Sequence, residues 1–242
     1  MVTMMENEFV YSMITLDALT VMPKSVRRVA DKRMWPEDKK DQAKIGSNAR
    51  RVFKPVVDYL HPVLEDALLE PMTKGAPHDH YYSPETKEGS LPELIVRDVS
   101  SCKQHLPPMV KHAGANYLPA MRSMGLAAHR LVDLWNPFHL STQEEVGAIR
   151  NRFMDDLSMH ILDLPFLLDD KVPEGDLLTK SPYTDVATIH IEATRIRDMY
   201  LEPFAKCYLA GNGYPVAKEL FNSWYNSVCN VLVRAWIFCM EA

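Results

Sequence analysis

The sequence predicts an all-α protein, and two observations lead to this prediction. Apolar residues recur at steps of three and four over long stretches, as on the buried face of a helix, for example at Leu118, Met121, Met124, Ala128 and Leu131. No stretch alternates apolar and polar residues with the period of two that is typical of a half-buried strand. We therefore expect helices packed on helices, without a sheet.

The individual helices follow from this periodicity and from prolines that end or begin a segment. Pro23 ends the first helix, and Pro137 ends a long central one. Pro62 can open a short helix that carries Asp66, because a proline is tolerated in a first turn. Besides this short helix, we predict helices at about 8–22, 25–34, 41–60, 92–105, 108–135, 142–162, 185–209 and 215–240.

Residues 71–92 are predicted to form a long loop, since they contain several prolines and glycines and show little periodicity. Loops of this length inside a compact domain are usually functional or disordered. This one contains His80, Tyr81 and Tyr82. We therefore expect the loop to border the active cavity.

Length and composition predict one globular domain, 1–242, with a substantial apolar core. Hydrophobic residues make up 47% of the 242 residues and charged residues 24%, the balance of an ordinary globular protein. The formal net charge is -5, and Lys and Arg are scattered along the chain. That distribution argues against a duplex nucleic-acid partner, which would require a basic face or stripe.

The sequence also predicts a cytoplasmic protein without a transmembrane segment. The first ten residues include Glu6 and Glu8 and lack the basic start and apolar run of a signal peptide. The longest apolar stretch, 228–240, contains Asn230 and Arg234 and is shorter than the roughly 20 residues that cross a bilayer. The four cysteines have no CxxC spacing, so we expect free thiols and no zinc ribbon. No pattern in the sequence bears on the oligomeric state.

One constellation carries candidate chemistry. His129 and Asp133 stand four residues apart on a predicted helix, so both side chains project from one face and can reach one metal ion. Taken alone, this spacing also fits an ordinary histidine satisfied by a neighbouring carboxylate. Pro137 and His139 follow closely, which gives a helical His-x3-Asp, a turn with proline, and another histidine.

This order of residues resembles the signature of the superfamily of zinc-dependent phospholipase C and the fungal single-strand-specific nucleases. Upstream, Asp66 precedes His80 by fourteen residues, and two tyrosines and a proline follow soon after, as in the phospholipase. The resemblance implies that family's all-helical fold. It also implies a first metal site built from Asp66, His80, His129 and Asp133, with Asp66 as the general base.

Two imidazoles and two carboxylates suit Zn²⁺ and are also compatible with Mn²⁺ or Fe²⁺. An ion in such a site activates water and polarises a phosphoryl oxygen. We therefore expect a metal-dependent phosphoesterase, similar to phospholipase C, that acts on a small-molecule or phosphoester substrate.

The chain departs from the family pattern at the two other metal sites. Tyr11 stands roughly where the family has the histidine of its third site, so we expect that site to be lost. The family's second site uses a His-x3-Glu or His-x3-Asp pair, but here only the reversed pair of Asp156 and His160 follows. His139, Asp156 and His160 are thus a candidate second site, and a surface salt bridge is an equal alternative.

Two other functions stay open at this stage. One is a divergent intracellular metalloenzyme that acts on a small molecule by Lewis-acid or redox chemistry. The other is a non-catalytic helical protein whose metal is structural or absent. Ligand counting predicts fewer than three ions, with one firmly held, because only the first set of residues reaches four ligands.

Overall fold

The described part of the chain is built from α-helices. The computed structural model describes residues 2–20, 60, 62–105, 118–141, 144–164 and 183–240. The helices in these ranges are α1 (Val2–Thr20), α2 (Pro62–Lys74), α3 (Leu91–His105), α4 (Leu118–Trp135), α5 (Glu144–His160), α6 (Val186–Ile196), α7 (Glu202–Leu209) and α8 (Tyr214–Met240). The same ranges contain no strand, only an isolated bridge between Ser83 and Glu88. The predicted all-α class is therefore confirmed.

Several predicted boundaries shift. Helix α2 continues through Pro71 to Lys74, and a short 3-10 helix, Pro77–Asp79, follows it, so the connection to α3 is shorter than predicted. The predicted helix 185–209 is divided into α6 and α7 by a π-helical turn, Arg197–Leu201. Pro203 lacks the N–H that would continue the α-helical ladder there. The predicted helix 25–34, and 41–60 apart from Leu60, lie outside the described residues.

Helix α8 lies at the centre of one connected apolar core. It packs against α1, α3, α4, α5 and α7, and it buries Phe221, Trp224, Tyr225, Leu232 and Trp236. This agrees with its nearly continuous apolar sequence. None of the helices in the described ranges is both long and apolar enough to cross a membrane.

A close approach of α2 and α4 positions His129 of α4 beside the backbone of α2. A Cβ atom added at Gly125 of α4 would lie 2.3 Å from the carbonyl oxygen of Leu64 and 2.9 Å from the Cβ of Ala67. These separations are shorter than van der Waals contact, so only glycine allows the two helices this near to each other. One helical turn further along the same face of α4, His129 reaches the backbone of Leu68.

Candidate metal centre

Helix α4 and the segment after α2 bring two histidines and an aspartate together. His129 and Asp133 are buried in α4, and His80 follows the turn Pro77–Asp79. Nδ1 of His80 lies 2.9 Å and Nε2 of His129 lies 3.2 Å from Oδ2 of Asp133. The two ring nitrogens lie 3.3 Å from each other. These three residues form a group that could hold a metal ion.

The spacing of the three atoms fits a small divalent ion. Tetrahedral zinc with nitrogen and oxygen ligands at about 2.0 to 2.1 Å places neighbouring ligand atoms about 3.3 Å apart. The three separations in this group are 2.9, 3.2 and 3.3 Å. The side chains therefore need little movement to coordinate an ion of this kind.

The second nitrogen of each imidazole is held by a backbone carbonyl of α2. Nδ1 of His129 lies 2.7 Å from the oxygen of Leu68, and Nε2 of His80 lies 3.0 Å from the oxygen of Pro71. Because a carbonyl only accepts, both of these nitrogens carry a proton and donate it. When the rings are neutral, their other nitrogens direct lone pairs at the carboxylate of Asp133. Three acceptors that converge in this way require a cation or a proton between them.

A glycine lets His80 take its place beside α2. A Cβ atom at Gly75 would lie 2.5 Å from the oxygen of Pro71 and 2.8 Å from Nε2 of His80. The backbone N–H of Tyr82 donates to the carbonyl of His139 at 2.9 Å, which fixes the segment against the turn after α4. The position of His80 is therefore set by backbone contacts on both sides of it in the chain.

The other oxygen of Asp133 contacts Tyr11 and His139. The hydroxyl of Tyr11 donates to Oδ1 of Asp133, and the Tyr11 ring stacks on His129 with 4.6 Å between ring centres. Nδ1 of His139 lies 3.2 Å from the same Oδ1. The sequence identified Tyr11 only as a replaced histidine, and no pattern indicated that it would bind Asp133.

The pKa values in this group follow from burial and from these contacts. Burial alone would raise the pKa of Asp133, but His129 and His139 outweigh it and hold the pKa well below its ordinary value. Burial, reinforced by Asp133, raises the pKa of Tyr11, so the phenol stays protonated and donates. The hydrogen bond with Asp133 raises the pKa of His80, although partial burial opposes the shift. In its protonated form, His80 donates from Nδ1 to Oδ2 of Asp133.

The group opens into a cavity of about 450 Å³. Tyr11 and His139 border the cavity beside the three candidate ligands. From the opposite side, α5 contributes Arg150, Asn151 and Met154. The sequence did not indicate these three residues, because nothing in the pattern of α5 shows which of its positions turn towards His80.

The structure does not bring Asp66 to the metal group, contrary to the expected four-ligand set. Helix α2 turns Leu64, Ala67, Leu68 and Pro71 inward, whereas Asp66 is exposed and does not belong to the metal group. Helix α2 contributes the backbone carbonyl groups of Leu68 and Pro71, which orient the two imidazoles. Asp66 is therefore not among the described residues that the fold brings together at this group.

The structure also does not assemble the expected second site. Asp156 accepts hydrogen bonds from the Tyr208 hydroxyl at 2.8 Å and from the Tyr214 backbone N–H at 2.9 Å. The ring of His160 stacks on that of Tyr214, 3.9 Å away. His139 instead lies beside Asp133, and within the described ranges no metal-binding group includes Asp156 or His160. The two residues of α5 face α7 and α8 because the cavity lies on the other side of the helix.

No family model matches the chain, and no curated protein matches it either. The fold and the site together define an all-helical protein with a group of two histidines and an aspartate that could hold a metal ion. The resemblance to the zinc-dependent phospholipase C superfamily rests on the residues quoted from the sequence and stays a prediction.

Proposed function

We propose that this chain is a metal-dependent hydrolase of phosphoric esters, similar to phospholipase C, in which His80, His129 and Asp133 hold Zn²⁺. One observation carries the proposal: both imidazoles donate to backbone carbonyls and turn their remaining nitrogens to one carboxylate oxygen, beside a cavity. This is the arrangement by which proteins orient histidine ligands of a metal. A cavity of about 450 Å³ accommodates a small molecule.

The number of ligands supports a catalytic ion. Catalytic zinc sites generally use three protein ligands, whereas structural sites use four. Within the described residues the group contains three, since Asp66 lies outside it. A Zn²⁺ ion held there would lower the pKa of coordinated water towards neutrality and polarise a phosphoryl oxygen.

His139 is the proposed proton acceptor in place of Asp66. Its side chain lines the same cavity and is 12% exposed. Nδ1 of His139 has no hydrogen bond with good geometry to any described residue, and Oδ1 of Asp133 lies 3.2 Å away. A neutral imidazole can accept a proton from the attacking water, and the nearby carboxylate stabilises the imidazolium that results.

A second candidate function follows from the ligand types. Two histidines and one carboxylate are also the ligand set of non-haem Fe²⁺ oxygenases. An oxygen-dependent reaction on a small molecule is therefore the alternative to hydrolysis. The two are distinguished by loading the ion-free protein with either Zn²⁺ or Fe²⁺ and measuring phosphoester cleavage and oxygen consumption.

The decisive experiment compares metal content with hydrolysis of nitrophenyl phosphate mono- and diesters. We expect His129→Gln to lose both the metal and the activity. His139→Gln should keep the metal and lose at least about 100-fold in kcat, the usual contribution of a general base. His105→Gln is the control, because His105 is exposed and, among the described residues, bonds only to Ser101. Hydrolysis that survives in His129→Gln, or zinc-loaded protein that cleaves none of these esters, would contradict the proposal.

A further inference from the structure

We propose that Arg150 and Asn151 form a subsite for an oxyanion, through which the cavity binds the charged group of its substrate. The subsite deepens the proposed function and rests on it for the reaction that follows binding. Binding of the anion is itself a separate property and is tested separately below.

Arg150 of α5 lines the cavity. Its side chain is exposed, and no hydrogen bond or ion pair joins its guanidinium to any part of the chain that the structure describes. Most other arginines in the described ranges have a carboxylate or carbonyl partner, namely Arg97, Arg122, Arg130, Arg152, Arg195 and Arg197. Arg150 therefore keeps its hydrogen-bond donors available to a ligand in the cavity.

The charges that face the cavity favour an anionic ligand. Among the described residues that line the cavity, Asp133 is the only carboxylate, and Arg150 is the only side chain with a permanent positive charge. A bound divalent ion and the Arg150 guanidinium together carry three positive charges, and the Asp133 carboxylate carries one negative charge. With neutral imidazoles, the cavity lining then has a net charge of about +2. A concave surface with such an excess concentrates anions. Asp133 does not neutralise Arg150, because its oxygens already face Tyr11 and the histidines.

The chemistry of the two side chains specifies the kind of anion. A guanidinium presents a planar fork of N–H donors that matches the oxygens of a phosphate or a carboxylate. The adjacent amide of Asn151 adds two more donors. Met72, Pro77 and Met154 make the remaining lining partly apolar. The structure therefore assigns to this cavity a small oxyanion that bears a short apolar group.

The test measures the Kd of inorganic phosphate and of acetate for zinc-loaded protein by calorimetry at constant ionic strength. We expect Arg150→Gln to weaken phosphate binding about 10- to 100-fold, the effect of losing a charged hydrogen bond. Zinc content and thermal stability should not change, because Arg150 forms no hydrogen bond or ion pair with the described residues. Arg152→Gln is the matched control: it removes the same charge from α5, but the Arg152 guanidinium donates to the carbonyls of Tyr208 and Asn212. The Kd of phosphate for Arg152→Gln should stay within about twofold of the wild-type value, because a distant exposed charge contributes little.

Each result supports or overturns the subsite. Phosphate that binds more tightly than acetate supports a phosphoryl ligand, and equal or tighter acetate binding supports a carboxylate ligand of the same subsite. Equal Kd values in wild type and Arg150→Gln would overturn it, as would equal weakening in both variants or no anion binding by wild-type protein. Anion binding through Arg150 without hydrolysis of any phosphoester would reject the proposed function alone. Metal-dependent hydrolysis with phosphate binding unaffected by Arg150→Gln would reject the subsite alone.

Discussion

Gly125→Ala tests whether the packing of α2 on α4 creates the metal group. The added Cβ would lie 2.3 Å from the oxygen of Leu64, so the helices must separate by about 1 Å to reach ordinary contact. Overpacking of this kind lowers the free energy of unfolding by about 1 to 3 kcal/mol. The better helix propensity of alanine offsets up to about 1 kcal/mol of this loss. The same separation lengthens the 2.7 Å contact between His129 and Leu68, which costs about 1 kcal/mol more. We expect a net loss of about 1 to 3 kcal/mol in the free energy of unfolding.

The metal affinity of Gly125→Ala should fall as well, by about 10- to 100-fold, because the lost contact orients a ligand. Denaturant unfolding of the ion-free protein and chelator competition measure the two effects. Gly147→Ala is the control: Gly147 lies in α5, and nothing lies within 4 Å of its added Cβ. That variant should gain up to about 1 kcal/mol and keep its zinc affinity. Unchanged zinc affinity in Gly125→Ala would refute the reasoning.

Three further predictions concern the metal group and the residues assigned to it. Tyr11→Phe removes the hydrogen bond to Oδ1 of Asp133 and should weaken zinc binding about 10-fold in chelator competition, whereas an unchanged affinity would show that Tyr11 does not hold the carboxylate. Asp66→Asn should leave zinc per chain unchanged by elemental analysis, and loss of zinc would restore Asp66 as a ligand. The pKa of His80 is raised, so its protonated form stabilises the ion-free protein fully below pH of about 6.5, and this contribution is lost as the pH rises through the raised pKa. Unfolding of ion-free protein between pH 5 and pH 9 checks this direction, with His80→Gln expected to lack the change.

The sequence predicts the part of the site that depends on local spacing. His129 and Asp133 are four residues apart on a helix, and that spacing alone places them on one face. His80 was identified only through its resemblance to a family pattern, because its distance from α4 is a property of the folded chain. Neither route could show that carbonyl groups of α2 orient the imidazoles, since a backbone acceptor has no signature in the sequence.

The structure does not bring Asp66, Asp156 and His160 to the metal group. In each case the direction in which a helix face points decides where the side chain lies. Asp66 lies two residues from Leu64 and two from Leu68, which places it almost opposite the apolar face of α2. That argument was available from the sequence and excludes Asp66 from a buried site. Asp156 and His160 do share a face, as predicted, but only the packing of α7 and α8 shows that it points away from the cavity.

The central claim is that His80, His129 and Asp133 hold one divalent ion. Anomalous scattering at the zinc absorption edge, from crystals of zinc-loaded protein, tests it most directly. The account predicts one strong peak about 2.1 Å from Nδ1 of His80, Nε2 of His129 and Oδ2 of Asp133. A zinc-loaded crystal without a peak at these three atoms, or with its strongest peak beside Asp66, would contradict it.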